Sequence, residues 1–173
     1  MYHHGDGVAE DYAEAARWHR KAAEQGKAVA QFKLGSMYRL GNGVAQDYVK
    51  AASWYQKAAA QGANWAQYFL GNMYYDGLGV AQDYAEAVRW YRKAAEQGNT
   101  GAQVNLAILY YEGQGVAQVN LTAYMWAYLV TEKSYGDPPE IKKKISSKMS
   151  DDEVAEAQSH ALVCMESAYQ NCD

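Results

Sequence analysis

The residues that could perform chemistry are few in this chain, and their spacing excludes the usual catalytic and metal-binding arrangements. Four histidines are scattered along it without the HExxH spacing of a zinc site: His3, His4, His19 and His160. Acidic residues such as Asp47 and Glu86 are interpreted as helix caps, which leaves no paired carboxylates for acid–base catalysis. We therefore expect no catalytic residue, no metal ion and no cofactor.

A glycine-rich motif is the remaining candidate for a ligand-binding loop. Gly-x-Gly can hold the phosphates of a dinucleotide when it follows a strand and opens a helix. Here the motif recurs at intervals of 36 residues, always followed by Val-Ala, with starts at Gly5, Gly41, Gly77 and Gly113. The later copies follow predicted helices rather than strands. The motif therefore indicates a turn between repeated units and not a nucleotide site.

Each repeated unit is predicted to contain two helices, and no alternating strand pattern occurs. The first helix is capped by aspartate and ends before glycine, at Asp11 and Gly26, Asp47 and Gly62, and Asp83 and Gly98. The second helix is predicted over Ala28–Leu40, Asn64–Asp76 and Thr100–Glu112. Tryptophan recurs with the same period and is predicted to lie in the core at Trp18, Trp54, Trp90 and Trp126.

The second helix, the turn and the next first helix together carry a longer pattern. It reads Ala-x-x-x-Leu-Gly-x-x-Tyr-x-x-Gly-x-Gly-Val and then Tyr-x-x-Ala-x-x-Trp-Tyr-x-Lys-Ala-Ala. Its residues here are Ala30, Leu34, Gly35, Tyr38, Gly41, Gly43 and Val44, then Tyr48, Ala51, Trp54, Tyr55, Lys57, Ala58 and Ala59. The pattern resembles the Sel-1-like repeat (SLR) family, an α-solenoid family related to tetratricopeptide repeats. The resemblance implies an adaptor for protein complexes.

We accordingly predict an all-α fold, a right-handed α/α solenoid of about four helix-turn-helix units with a C-terminal helical cap. Residues 1–133 form the array, and its first unit lacks the first helix because Met1-Tyr2 aligns with Met37-Tyr38. An incomplete first unit would leave Tyr12, Ala16 and Trp18 partly uncovered. Residues 134–173 form the cap, with helix starts at 137–140 and at a capping box over 150–153.

Comparison of the second helices with one another separates a constant face from a variable stripe. Ala30, Leu34, Met37 and Tyr38 share the constant face and are predicted to form the core. The variable stripe is rich in aromatic side chains, and in the related folds this helix lines the concave surface. The predicted partner-binding residues are Lys33, Trp65, Tyr68, Phe69, Asn72, Tyr75, Asn105, Ile108 and Tyr111.

Within the stripe, different roles are expected for different side chains. The aromatic rings of Trp65, Phe69 and Tyr75 would anchor a bound segment, because such rings supply a large contact area at low entropic cost. Asn72 would hydrogen-bond the backbone of the segment, and Lys33 would attract an acidic side chain. For Phe32 and Tyr68 the alternative stays open that they fill gaps between neighbouring helices.

The predicted function is therefore non-catalytic binding of a protein or peptide segment on the concave face. One alternative is an enzyme acting on the cell wall or on β-lactams. The resemblance implies this alternative because such activity has been attributed to members of a cysteine-rich SLR subgroup. No serine here is followed three residues later by lysine, as the usual nucleophile motif requires. A second alternative is a structural fragment whose open N-terminal edge associates with further repeats or with another copy of the chain.

The two cysteines, Cys164 and Cys172, bear on the compartment. A continuous helix would separate them by about 12 Å, too far for a disulfide, whereas a turn near Tyr169 would bring them together. Their spacing resembles the disulfide that staples helices in the cysteine-rich subgroup, which implies a Cys164–Cys172 bond. That bond would indicate the bacterial periplasm or secretion, and reduced thiols would indicate the cytoplasm.

Composition excludes two further classes of partner. The 173 residues carry 20 acidic and 16 basic side chains, for a net charge of −4, and this mixed, net negative charge argues against a nucleic-acid binder, which usually shows a basic face. No run of eighteen apolar residues is present, so we expect no membrane insertion. The expected partner is another protein, whose identity the sequence does not give.

Overall fold

The computed structural model describes residues 6–130, 138–167, 169 and 172. All regular structure in these ranges is helical, which confirms the predicted all-α class. The helices are α1 (Asp6–Glu24), α2 (Ala28–Leu40), α3 (Tyr48–Ala60), α4 (Asn64–Asp76), α5 (Tyr84–Ala95), α6 (Thr100–Glu112), α7 (Asn120–Leu129), α8 (Pro138–Ser146) and α9 (Asp151–Glu166). Short helices that follow one another along the chain are consistent with an α-solenoid.

The helices group into two compact units, residues 1–82 with α1 to α4 and residues 83–173 with α5 to α9. In the first unit α2 packs against α1 and α3, and α3 packs against α4. In the second unit α6 packs against α5 and α7, and α7 also contacts α8 and α9. The predicted boundary between array and cap, at 133/134, lies outside the described residues and stays a prediction.

The repeat residues determine where most helices begin and end. The second helices have the predicted bounds, and each ends at a left-handed glycine, Gly41, Gly77 or Gly113. Asp47 caps α3 by accepting a hydrogen bond from the Lys50 N–H, and Asp83 caps α5 in the same way from Ala85 and Glu86. Ser150 and Glu153 form the predicted capping box of α9.

The start of α1 differs from the prediction. The helix begins at Asp6 and not at Asp11, so Asp11 lies within it and is not its N-cap. In the later copies of the glycine motif, a Cβ on the second glycine would overlap the backbone of an earlier hairpin. Gly43 approaches the carbonyl of Tyr12, and Gly79 approaches that of Tyr48. In the first copy the second glycine, Gly7, lies within α1.

The constant face forms the core of both units. Leu34, Leu70 and Leu106 are almost completely buried at equivalent positions of the second helices. Gly35 permits the close crossing of α2 and α3, since a Cβ there would lie 2.8 Å from the ring of Tyr55. The small residues of this face therefore let the helices approach closely enough to exclude water.

Burial of the recurring tryptophans differs along the chain. Trp126 and Trp90 are buried, as predicted, whereas Trp54 is half-buried and Trp18 is 62% exposed. The prediction of a core residue is therefore wrong for Trp18. Trp126 lies on α7, which packs against α6, α8 and α9, whereas Trp18 lies on α1, which packs chiefly against α2. Tyr12 is 44% exposed, so Tyr12 and Trp18 are uncovered as expected for an incomplete first unit, whereas Ala16 is buried against that expectation.

The C-terminal helices retain the spacing of the repeat without its residues. One period after α6 would give a helix over 136–148, and α8 occupies Pro138–Ser146. One period after α7 gives 156–165, which lies within α9. Beyond α9 Tyr169 has a left-handed backbone conformation, and Cys164 and Cys172 are joined by a disulfide.

Candidate protein-binding surfaces

The variable residues of α4 form one continuous stripe on unit 1. We refer to Trp65, Tyr68, Phe69, Asn72 and Tyr75 as the α4 stripe. Their spacing of three and four residues places them along one side of the helix. The indole of Trp65 is 60% exposed, whereas the other four residues are half-buried. The stripe therefore presents one large exposed ring above a partly covered surface.

Phe69 forms the base of this surface. Its ring centroid lies 5.8 Å from that of Phe32 and 5.6 Å from that of the buried Tyr55. The Arg39 guanidinium lies 5.0 Å from its centroid, and the Tyr68 ring meets it edge-on at 5.3 Å. Phe32 and Phe69 thus fill the space between α2 and α4, in agreement with the gap-filling interpretation of Phe32.

The polar residues of the prediction lie in two different hollows of unit 1. Asn72 lines a hollow of about 100 Å³ with Arg39, Phe69 and Asp76. Lys33 is exposed and lines a hollow of about 250 Å³ between α1 and α2, together with Leu40. Lys33 and Asn72 therefore line separate hollows.

In unit 2 the corresponding stripe on α6 is partly covered by α8. Tyr111 is only 7% exposed, and the ammonium groups of Lys144 and Lys148 lie 5.1 and 4.6 Å from its ring centroid. The prediction of Tyr111 as an accessible contact is therefore corrected, because side chains of the last hairpin cover it. Asn105 and Ile108 are half-buried.

Ile108 belongs to a larger groove between α6 and α8, which we call the α6 groove. Its volume is about 730 Å³, and it is lined by Val104, Ile108, Glu140, Ile141, Lys143, Lys144 and Ser147. No lysine of α8 was predicted from the sequence to line a binding surface. The signal that could have placed them here is the 36-residue period, since α8 follows α6 by one repeat.

The described residues show neither a metal site nor a membrane span. They contain no cluster of three or more His, Cys, Asp or Glu side chains arranged to hold a metal ion. None of the described helices combines the length and hydropathy needed to cross a membrane.

Tandem helical hairpins of constant length, with variable residues on the second helix, define a helical-repeat protein. The chain belongs to the Sel1 repeat family, whose model matches residues 1–27, 28–62, 66–99 and 100–129. Proteins of this family generally mediate protein–protein interactions, and their scaffold is typically non-catalytic. None of the curated proteins compared with the chain matches it.

Two solved structures show the same fold. A Sel1 repeat protein from Oxalobacter formigenes is 32% identical, with a TM-score of 0.73 over 93% of this chain and 65% of its own. The protective antigen c5321 of uropathogenic Escherichia coli, which displays an SLR fold, is 29% identical, with a TM-score of 0.66 over 89% of this chain and 42% of its own. The present chain thus spans less than two thirds of either protein.

Proposed function

We propose that this protein is a non-catalytic adaptor that binds a segment of another protein along the α4 stripe. The observation that carries the proposal is the 60% exposure of Trp65 beside the aromatic base formed by Phe69 and its neighbours. A tryptophan fixed on a helix loses little conformational entropy on binding and typically dominates an interface, with about 2 kcal/mol or more from a single hot-spot residue.

The aromatic residues of the stripe have separate roles in this proposal. Trp65 makes the principal contact, and Tyr68 and Tyr75 extend the contact surface along α4. Phe69 supports the surface from below, because it is packed among Phe32, Tyr55 and Arg39. The hollow beside Asn72, at about 100 Å³, accommodates one small side chain of the bound segment.

The test is selection of binding peptides from a random displayed library on the immobilised full chain. Trp65→Ala is expected to weaken the selected peptides at least about tenfold, which corresponds to about 1.4 kcal/mol, with no loss of thermal stability. The matched control is Trp18→Ala, which removes an equally exposed tryptophan from α1 of the same unit. The proposal is contradicted if Trp65→Ala binds the peptides as tightly as the unaltered chain does. It is also contradicted if the two variants weaken binding to the same extent.

A second candidate function concerns the edge of α1 and α2. Tyr12 is 44% exposed and Leu40 is 52% exposed, and both line the hollow of about 250 Å³ between these helices. Such an edge fits association with further repeats or with a second copy of the chain. Sedimentation of the full chain across a range of concentrations tests this, and Leu40→Asp is expected to abolish any association. A monomer at all concentrations excludes the second copy.

A further inference from the structure

We propose that the α6 groove is a second docking site, which binds an acidic segment carrying aliphatic side chains from another protein. The floor of the groove is apolar, from Val104, Ile108 and Ile141, all of them half-buried. Its rim carries the exposed lysines Lys143 and Lys144. An apolar floor with a basic rim is complementary to a segment of the opposite arrangement.

The positive charge of the rim is not neutralised within the described part of the chain. The ion pairs found there, Lys50 with Asp47 and Arg89 with Glu86, are all remote from α8 in the sequence. Lys144 and Lys148 contact the ring of Tyr111, and such contacts orient an ammonium group without cancelling its charge. The residues that line the groove include one carboxylate, Glu140, and two ammonium groups, those of Lys143 and Lys144.

The volume of the groove limits the side chains that can enter it. About 730 Å³ is enough for several side chains. The proposed segment places two or three aliphatic side chains in the groove and carboxylates beside the lysines. This inference is independent of the α4 stripe, since none of the residues involved belongs to unit 1.

The experiment selects peptides from a random displayed library on the full chain. Peptides that also bind the Lys143→Glu/Lys144→Glu variant are removed by counter-selection. Peptides that distinguish the two proteins are expected to be net negative and to contain aliphatic residues. Their affinity, measured by fluorescence anisotropy, should fall at least tenfold in the variant and several-fold between low and high salt. Because both lysines are exposed, the variant should retain the helical content and melting temperature of the unaltered chain.

Two controls make the result decisive. Lys57→Glu/Lys93→Glu reverses two exposed lysines elsewhere and should change the affinity less than twofold. A version of the best peptide with serine in place of its aliphatic residues should bind at least tenfold more weakly. Equal binding of that peptide means a general polyanion patch and overturns the proposal. The proposal is also overturned if the peptides that distinguish the two proteins are neutral or basic, or if no such peptides are found. A dimer of the chain that dissociates in the lysine variant would overturn it as well.

Discussion

The side-chain nitrogen of Gln31 lies 3.1 Å from the carbonyl oxygen of Ala23 and donates a hydrogen bond to it. The same bond recurs one period later from Gln67 to Ala59 and again from Gln103 to Ala95. In every case a buried glutamine of the second helix bonds the last turn of the first helix. The hairpin is therefore closed by a polar contact inside an apolar interface, where an unpaired amide would be costly.

Replacement of this glutamine should destabilise the hairpin in proportion to the hydrogen bonds lost. Gln31→Met keeps the volume of the side chain but removes its bond to Ala23 and the one accepted from Gln61. We expect a loss of about 1–2 kcal/mol, measured by urea denaturation. Gln25→Met, on the exposed end of the same hairpin, should change the stability by less than about 0.5 kcal/mol. Equal effects of the two would contradict this role.

The glycines of the repeat should respond very differently to the same substitution. At Gly43 a Cβ would overlap the backbone of Tyr12, whereas at Gly26 it would meet no atom within 4 Å. Both have positive φ, at +68° and +85°. Alanine at either position should therefore lower the free energy of unfolding by about 1 kcal/mol through backbone conformation alone. Gly43→Ala should cost about 3 kcal/mol or more in total, because backbone must also move. Thermal denaturation of the two variants compares these costs directly.

Acid should weaken the protein partly through two helix caps. The backbone N–H and the ammonium of Lys50 hold the pKa of the Asp47 carboxyl below its ordinary value of 3.8. The N–H and hydroxyl of Ser150 likewise hold the pKa of Glu153 below 4.5. A carboxyl whose pKa is lowered by folding contributes stability that is present above its unfolded pKa and is lost as the pH falls through the folded value.

The melting temperature should therefore decline below about pH 4.5. The variants Asp47→Asn and Glu153→Gln retain hydrogen-bond acceptors but remove the titrating groups. Each should flatten the decline, and Asp152→Asn, at an exposed residue of the first turn of α9, serves as the control. An unchanged acid profile in both cap variants would mean that other groups determine the response to acid.

Equivalent tryptophans should contribute unequally to stability. Trp126→Ala removes a side chain that is 1% exposed and should cost about 3–5 kcal/mol. Trp18→Ala removes one that is 62% exposed, and its effect should stay within about 0.5 kcal/mol. Circular dichroism during thermal denaturation measures both. Similar losses would show that Trp18 is covered in solution, for example by another copy of the chain.

The local parts of the fold were predictable because they depend on short-range signals. Each second helix ends at a glycine because of the backbone conformation of that glycine. The helices α3 and α5 begin after an aspartate whose side chain caps them, and the observed bounds agree with these signals. The difference in burial between Trp18 and Trp126 could not be predicted in this way. The two residues occupy the same position of the repeat, and their exposure depends on helices that pack from elsewhere in the chain.

The candidate surfaces were predicted in part for a similar reason. Variation along the second helices identified the residues of the α4 stripe, but variation alone did not show that Phe69 forms its base. The cover over Tyr111 and the basic rim of the α6 groove come from α8, which has lost the repeat residues. The repeat residues therefore do not identify α8, the helix that completes the groove. Its distance of one period from α6 is the sequence signal that remains.

The constant spacing from α6 to α8 also determines how such a chain can change its length. Duplication or deletion of one whole period rejoins backbone positions that are equivalent, so neighbouring hairpins still meet in the same way. A copy of residues 100–135 would insert another hairpin ahead of α8 while preserving the pairing of α6 with α8. Arrays of different lengths can thus end in the same basic groove.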